Sequence, residues 1–157
     1  MNTLISRRAL IAGLLAASAA PYATRAAETF PAMTVYRDPG CSCCEGWVAH
    51  VRKAGFTATL VDREDMLVVK AKLRVPEALA SCHTATLGDY VIEGHVPASA
   101  IARLLREKPT AFGLSAPGMP MGAPGMETDD PADTYDVVLF DATSTRRFAR
   151  FRGAEAV

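Results

Sequence analysis

Three of the four cysteines of this chain fall within Cys41-Ser42-Cys43-Cys44, after an apolar strand-like run and before an amphipathic helix-like one. The outer pair has the C-x-x-C spacing that sets two thiols on the first turn of a helix, where unpaired backbone N–H groups and the positive end of the dipole favour thiolate over thiol. Such a pair can exchange disulfides or bind a soft metal. Cys43 is a third sulfur where dithiol chemistry needs two, and it raises the local thiolate density that Cu(I) or Zn(II) prefers. Cys82 lies far along the chain with His83 beside it, a combination suited to a ligand pair rather than an inert core position. Two structural disulfides are the alternative in an oxidising compartment, but adjacent Cys43 and Cys44 cannot both pair without local constraint.

The compartment is indicated by the N-terminus. Arg7-Arg8 precede an apolar run from Ala9 to Ala20, and Thr24-Arg25-Ala26 offers a cleavage site, which together read as an export signal over residues 1–26. Ser6-Arg7-Arg8-Ala9-Leu10-Ile11 is compatible with an ordinary secretory or a twin-arginine route. The run is short of the roughly 20 apolar residues that span a bilayer, so no membrane span is expected after processing. Residues 27–157 then suffice for one domain with a modest core. Arg7, Arg8 and Arg25 leave with the signal and no acid does, so 14 basic residues remain of 17, against 17 acidic ones. That balance excludes nucleic acid as an expected partner.

Along the mature chain, Met33 to Arg37 is a β-prone run broken by Asp38-Pro39-Gly40, just ahead of the cysteines. Trp47, Val48 and Val51 recur at helical spacing up to Gly55, and Phe56 to Val61 returns to a strand pattern. Met66, Val69 and Leu73 continue at helical spacing, and Pro76 to Leu79 allow one further turn. Thr84 to Leu87, Gly88-Asp89 and Tyr90 to Ile92 read as a hairpin, and Pro97 opens a helix closed by Pro109. The order β-α-β-α-β-β-α is that of a single α/β, thioredoxin-like domain with its thiols at the first strand-to-helix junction, the edge where ligands bind in open α/β sheets. Where such domains usually carry a cis-proline facing the C-x-x-C, this chain has Ser81-Cys82-His83-Thr84. Cys82 or His83 is therefore expected to face the three cysteines.

From Pro109 to Pro131 the composition shifts to Gly, Pro, Ala and Met, which predicts an irregular loop without helix or strand. Three of the six methionines, Met119, Met121 and Met126, sit in it. Thioethers on an irregular loop are either soft donors for Cu(I) or packing that pins the loop down. Beyond it, Tyr135 to Phe140 and Arg146 to Phe151 read as a C-terminal β-hairpin whose Arg146, Arg147, Arg150 and Arg152 form a solvated face. His50, six positions after Cys44, is turned away from the thiols and reads as a surface residue. His95 either packs at the entry of the Pro97 helix or points toward the site. Trp47 reads as core, and Glu45 as an acid placed by the helix dipole.

Arg37-Asp38-Pro39-Gly40-Cys41-Ser42-Cys43-Cys44 with Trp47, then Ser81-Cys82-His83-Thr84, Glu93-Gly94-His95-Val96-Pro97, and Pro117-Gly118-Met119-Pro120-Met121-Gly122, resemble the CopG-like exported copper-resistance proteins, in the same order over essentially the whole mature chain. The resemblance implies a thioredoxin-like fold, a periplasmic location, copper held by the cysteine cluster and a role in copper tolerance beside efflux systems. Two function classes follow. In the first, the protein holds Cu(I), one ion or several, between Cys41, Cys43, Cys44 and Cys82, with His83, His95 and Met119, Met121 and Met126 as auxiliary ligands or entry lid, and a copper efflux system or periplasmic copper carrier as partner. In the second it is an oxidoreductase, with Cys41 as nucleophile and Cys44 as resolving thiol, or with the same thiols reducing Cu(II). A four-cysteine zinc site leaves the methionines without a role.

Overall fold

The computed structural model describes residues 30–157, so the expected export signal over 1–26 lies outside the described residues. The chain builds an eight-stranded mixed sheet in the order β2-β1-β3-β4-β5-β6-β7-β8. Strand β1 (Met33–Arg37) buries Met33, Val35 and Arg37 by the two-residue alternation of a pleat. It pairs in parallel with β2 (Ala58–Asp62) and antiparallel with β3 (His83–Leu87). Between β1 and β2 runs helix α1 (Ser42–Lys53), with Cys44, Trp47, Val48 and Val51 on its buried face. Gly55 ends it with φ +97, a left-handed turn that costs glycine little. Helix α2 (Met66–Lys72) and a short 3-10 turn at Glu77–Leu79 lead back to β3, and Gly88-Asp89 turn the chain into β4 (Tyr90–Glu93). Pro97 then starts helix α3 (Ala98–Glu107), which ends at Lys108 just before Pro109.

The order of elements to this point is the one the sequence pattern predicts. Below it the structure corrects one expectation, because the segment after Pro109 holds a strand, β5 (Gly113–Ser115). Its Leu114 is fully buried, and it pairs in parallel with β4 and antiparallel with β6 (Thr134–Phe140). A Cβ at Gly113 would lie 1.7 Å from the Val91 carbonyl oxygen, so glycine here permits a close strand approach instead of breaking the strand. The irregular stretch begins after it. The expected hairpin of β6 with β7 (Thr145–Arg152) is present and, through β5, continues the same sheet, closed at its edge by β8 (Glu155–Ala156).

The two faces of the sheet are covered differently. Ile92, Leu139, Ala85 and Leu87 belong to the main core with α1 and α3, whereas Val91 and Phe140 belong to a smaller cluster with Val75. Neighbours such as Val91 and Ile92 are split between clusters as strand alternation requires. Trp47 is fully buried in the main core, and its indole N–H donates to the Val96 carbonyl at 2.9 Å, which satisfies the one polar atom that burial exposes to loss. Among the described residues no helix is long and apolar enough to cross a membrane.

Candidate metal centre

The cysteine turn is held from inside the sheet by an arginine that ends β1. Arg37 donates to the Cys41 carbonyl at 2.9 Å, to the Glu45 carboxylate at 2.8 Å and to Asp62 at 2.8 Å, so one buried guanidinium ties the turn to α1 and to β2. Cys41 occupies the N-cap of α1, with Cys43 and Cys44 in the first turn and Cys44 fully buried. Cys41 and Cys44 are joined as a disulfide, while Cys43 and Cys82 are free thiols. Cys82 reaches the turn from the segment before β3, with its Sγ 3.9 Å from that of Cys43 and 3.7 Å from that of Cys44. Cys43 Sγ lies 3.5 Å from Cys41 Sγ, and all four sulfurs lie within 4.8 Å of one another. Burial, and then the neighbouring Cys43, pushes the Cys82 thiol up to about 12, so it stays protonated at neutral pH until a cation compensates its charge.

Two imidazoles complete the cluster on the Cys82 side. His95 Nε2 is 3.0 Å and His83 Nδ1 3.3 Å from Cys82 Sγ, and the three donor atoms lie within 4.8 Å of one another. His95 Nδ1 is 2.8 Å from the Pro124 carbonyl oxygen, which only accepts, so Nδ1 carries the hydrogen and Nε2 presents a bare lone pair to the sulfur. The ring is buried, and that burial lowers its pKa against the opposing pull of the Pro124 hydrogen bond and Glu127. His83 is fully buried, packs against Trp47 with ring centroids 4.4 Å apart and planes tilted by 46°, and meets His95 edge-on at 5.0 Å. Its Nε2 has no hydrogen-bond partner among the described residues, and burial, then His95 and Lys70, hold it well below the usual histidine range. Both rings are therefore neutral at physiological pH. Four sulfurs and two neutral imidazoles form a donor set suited to Cu(I) or Zn(II) and poorly suited to hard cations that seek carboxylates.

The loop from Pro117 to Glu127 closes over this group by its backbone. Gly118 N donates to the Ala80 carbonyl, the Ser81 hydroxyl donates to the Gly118 carbonyl, and Pro124 holds His95. Gly125 lies against the first turns of α1, where a Cβ at Gly46 would sit 2.9 Å from Gly125 Cα. Met119 and Met121 remain 51% and 41% exposed on this anchored frame, and Met126 is half-buried. The structure thus gathers Cys41, Cys43, Cys44, Cys82, His83 and His95, and sets two of the three thioethers at the surface.

Two participants escaped the sequence reading: Arg37 and the Pro124 carbonyl. The inward register of Arg37, after Met33 and Val35 in a strand, is the available signal for the first, and a backbone carbonyl carries none. His50 is a correction, since it is half-buried and its Nε2 accepts the Ala98 N–H at 3.1 Å, capping α3. The four arginines of β7 are exposed, as expected of a solvated face.

The family model described as "Protein of unknown function, DUF411" matches residues 79–126, the span from the Ala80–Cys82 segment to the end of the methionine loop. No curated protein matches the chain. Two solved structures, described as "Copper resistance protein copG- Form 1" and "Copper resistance protein copG- Form 2", each share 40% identity with it at a TM-score of 0.74. Each alignment covers 79% of this chain and 99% of the other. With the whole of that relative covered at this identity, the chain belongs to the copper resistance protein copG family.

Proposed function

We propose that the protein binds copper as Cu(I) through Cys41, Cys43, Cys44 and Cys82, with His83 and His95 as imidazole ligands, and serves copper tolerance in the periplasm after cleavage near Ala26. The observation that carries the reading is the convergence of four sulfurs within 4.8 Å with the bare Nε2 of His95 aimed at one of them. Thiolates that can bridge between ions, and neutral nitrogens beside them, allow more than one Cu(I) in a small volume. Met119, Met121 and Met126 serve as auxiliary soft donors at the entry, and a copper efflux system or periplasmic copper carrier is the exchange partner. The disulfide between Cys41 and Cys44 withholds two of the four sulfurs. Two electrons and two protons from a thiol reductant return them, so loading follows reduction. The test is anaerobic reconstitution of the reduced mature protein with Cu(I) and with Zn(II), counting bound metal and free thiols. Cu(I) retained against a chelator in preference to Zn(II), with all four thiols protected, is the expected result. Zn(II) preference, or loss of Cu(I) to the chelator, overturns it.

The same disulfide favours a second reading, an oxidoreductase in which Cys41 attacks and Cys44 resolves, or in which the pair exchanges electrons with copper. Exchange through one attacking and one resolving sulfur does not require Cys43 or Cys82. Disulfide reduction of insulin at near wild-type rate by a Cys43→Ser, Cys82→Ser double variant, with cellular copper tolerance intact, would establish the enzyme in place of the binding protein.

A further inference from the structure

On the face of the sheet away from Trp47 lies a fully buried carboxylate that neither reading above uses. Glu93, the last residue of β4, is 0% exposed. One of its oxygens accepts from Lys70 Nζ of α2 at 2.5 Å and from the Ser81 backbone N–H at 2.7 Å, and the other accepts from the Thr84 hydroxyl at 2.6 Å. Lys70 also reaches the Thr84 hydroxyl at 2.9 Å, and the Gly94 N–H donates to the His83 carbonyl at 3.0 Å. One carboxylate is therefore bonded to the residue before Cys82 and to the residue after His83. Such an arrangement is costly to bury, because each ion loses its hydration, and a sheet position of this kind is filled more simply by an apolar side chain.

We propose that Glu93 is a positioning residue for the Cys82-His83 pair, with Lys70 as its counter-ion. Fixing Ser81 and Thr84 at both ends sets the direction in which Cys82 Sγ and the His83 ring leave the backbone, toward the cysteine turn. Partners that orient ligands from behind typically change metal affinity by 10- to 100-fold when removed. The inference rests on Cys82 and His83 being ligands, and the measurements below keep its failure apart from the failure of that reading.

The test compares two double variants that each remove the buried charges together, so that no lone ion is left inside. Lys70→Met with Glu93→Leu leaves the Ser81 N–H and the Thr84 hydroxyl without their acceptor. Lys70→Met with Glu93→Gln keeps a carboxamide oxygen for Ser81, and its NH₂ can donate to the Thr84 hydroxyl. In chelator competition the Leu variant is expected to hold Cu(I) roughly 10- to 100-fold less tightly than wild type, and the Gln variant to return to within about threefold. A Leu variant that folds and binds within threefold of wild type overturns the proposal, as does a Gln variant no better than the Leu one. If the Leu variant does not fold, Thr84→Val, which removes one of the two ties, is read in its place, and unchanged Cu(I) affinity there is equally fatal. If the wild type holds no Cu(I), the metal reading falls, and the clamp is judged in the metal-free protein by exchange of the Ser81 amide and alkylation of Cys82. The Leu variant should speed both by about tenfold or more and the Gln variant should restore them. Rates unchanged in the Leu variant overturn the positioning role.

Discussion

Replacing Gly125 by Ala tests whether the methionine loop orients the site by its backbone. Gly125 has φ +84, and a Cβ built on it would stand 2.4 Å from Trp47 N, 2.5 Å from the Cys43 carbonyl oxygen and 3.0 Å from the Gly46 carbonyl carbon. All three atoms are backbone of the first turns of α1, which cannot swing aside as a side chain can. Gly118, in the same loop, has φ +70 and nothing within 4 Å of its would-be Cβ. Both substitutions incur the left-handed conformational term, roughly 1–2 kcal/mol. Only Gly125→Ala adds the overpacking term, about 1–3 kcal/mol. Urea unfolding of the reduced, metal-free protein should therefore show Gly118→Ala losing roughly 1–2 kcal/mol and Gly125→Ala roughly 2–5 kcal/mol. Because Pro124 holds His95 Nδ1 at 2.8 Å, lifting Gly125 off the helix should also free the His95 ring, seen in nitrogen NMR as loss of the single bare-Nε2 tautomer. Gly46→Ala approaches the same contact from the helical side, 2.9 Å from Gly125 Cα and without a φ cost, and should reproduce the tautomer change. Equal destabilisation by Gly118→Ala and Gly125→Ala, or a His95 tautomer untouched in both the Gly125 and Gly46 variants, would refute the reasoning.

Cys43→Ser and Cys82→Ser are each expected to impair Cu(I) retention about as severely as Cys41→Ser, measured by chelator competition, because every lost thiolate removes both a soft donor and a compensating charge. Replacing Met119, Met121 and Met126 together by Leu keeps the bulk and removes the thioethers, so the rate of Cu(I) loading should fall while folding stability stays nearly unchanged; an unchanged loading rate makes the loop a cover alone. His50 supplies a pH dependence: burial first, with Lys53 assisting and Glu127 opposing, holds its pKa below the ordinary 6.5, and its Nε2 must be bare to accept the Ala98 N–H. The unfolded chain then takes up the proton more readily, so stability is full above about pH 6.5 and declines as pH falls below it toward the lower folded pKa. His83 and His95 act in the same direction, so the His50 share is the flattening between pH 7 and pH 5 that His50→Gln produces in a series of denaturant melts.

Most of the fold was legible because its signals are local. Met33 to Arg37, the helix after the cysteines and the Gly88-Asp89 hairpin each show their period and their breakers within a dozen residues, and the structure places them nearly where the pattern does. β5 was not, because three residues are too few for a period, and the glycine that suggests a break exists to let β4 come close. The site divides in the same way. Cys41, Cys43 and Cys44 share one helical turn, so their proximity follows from spacing, and Cys82 follows from the order of elements.

What the sequence withheld is whatever depends on the far side of the sheet or on a backbone atom. His95 was ambiguous between packing and ligation because the Pro124 carbonyl that fixes its tautomer carries no side-chain signature. His50 reads as a surface residue from its helical angle alone, yet the N-terminus of α3 packs over it and uses its nitrogen. Lys70 and Glu93 sit 23 positions apart on different elements, and neither declares a partner until α2 packs on the sheet and the Lys70 side chain reaches past Thr84 of β3 to Glu93 of β4. A buried ion pair is poor evidence for stability, since apolar residues of the same volume often serve the fold as well. Retaining one directly behind Cys82 and His83 therefore fits the proposed need to hold those two side chains in a fixed direction better than it fits the need for a stable sheet alone.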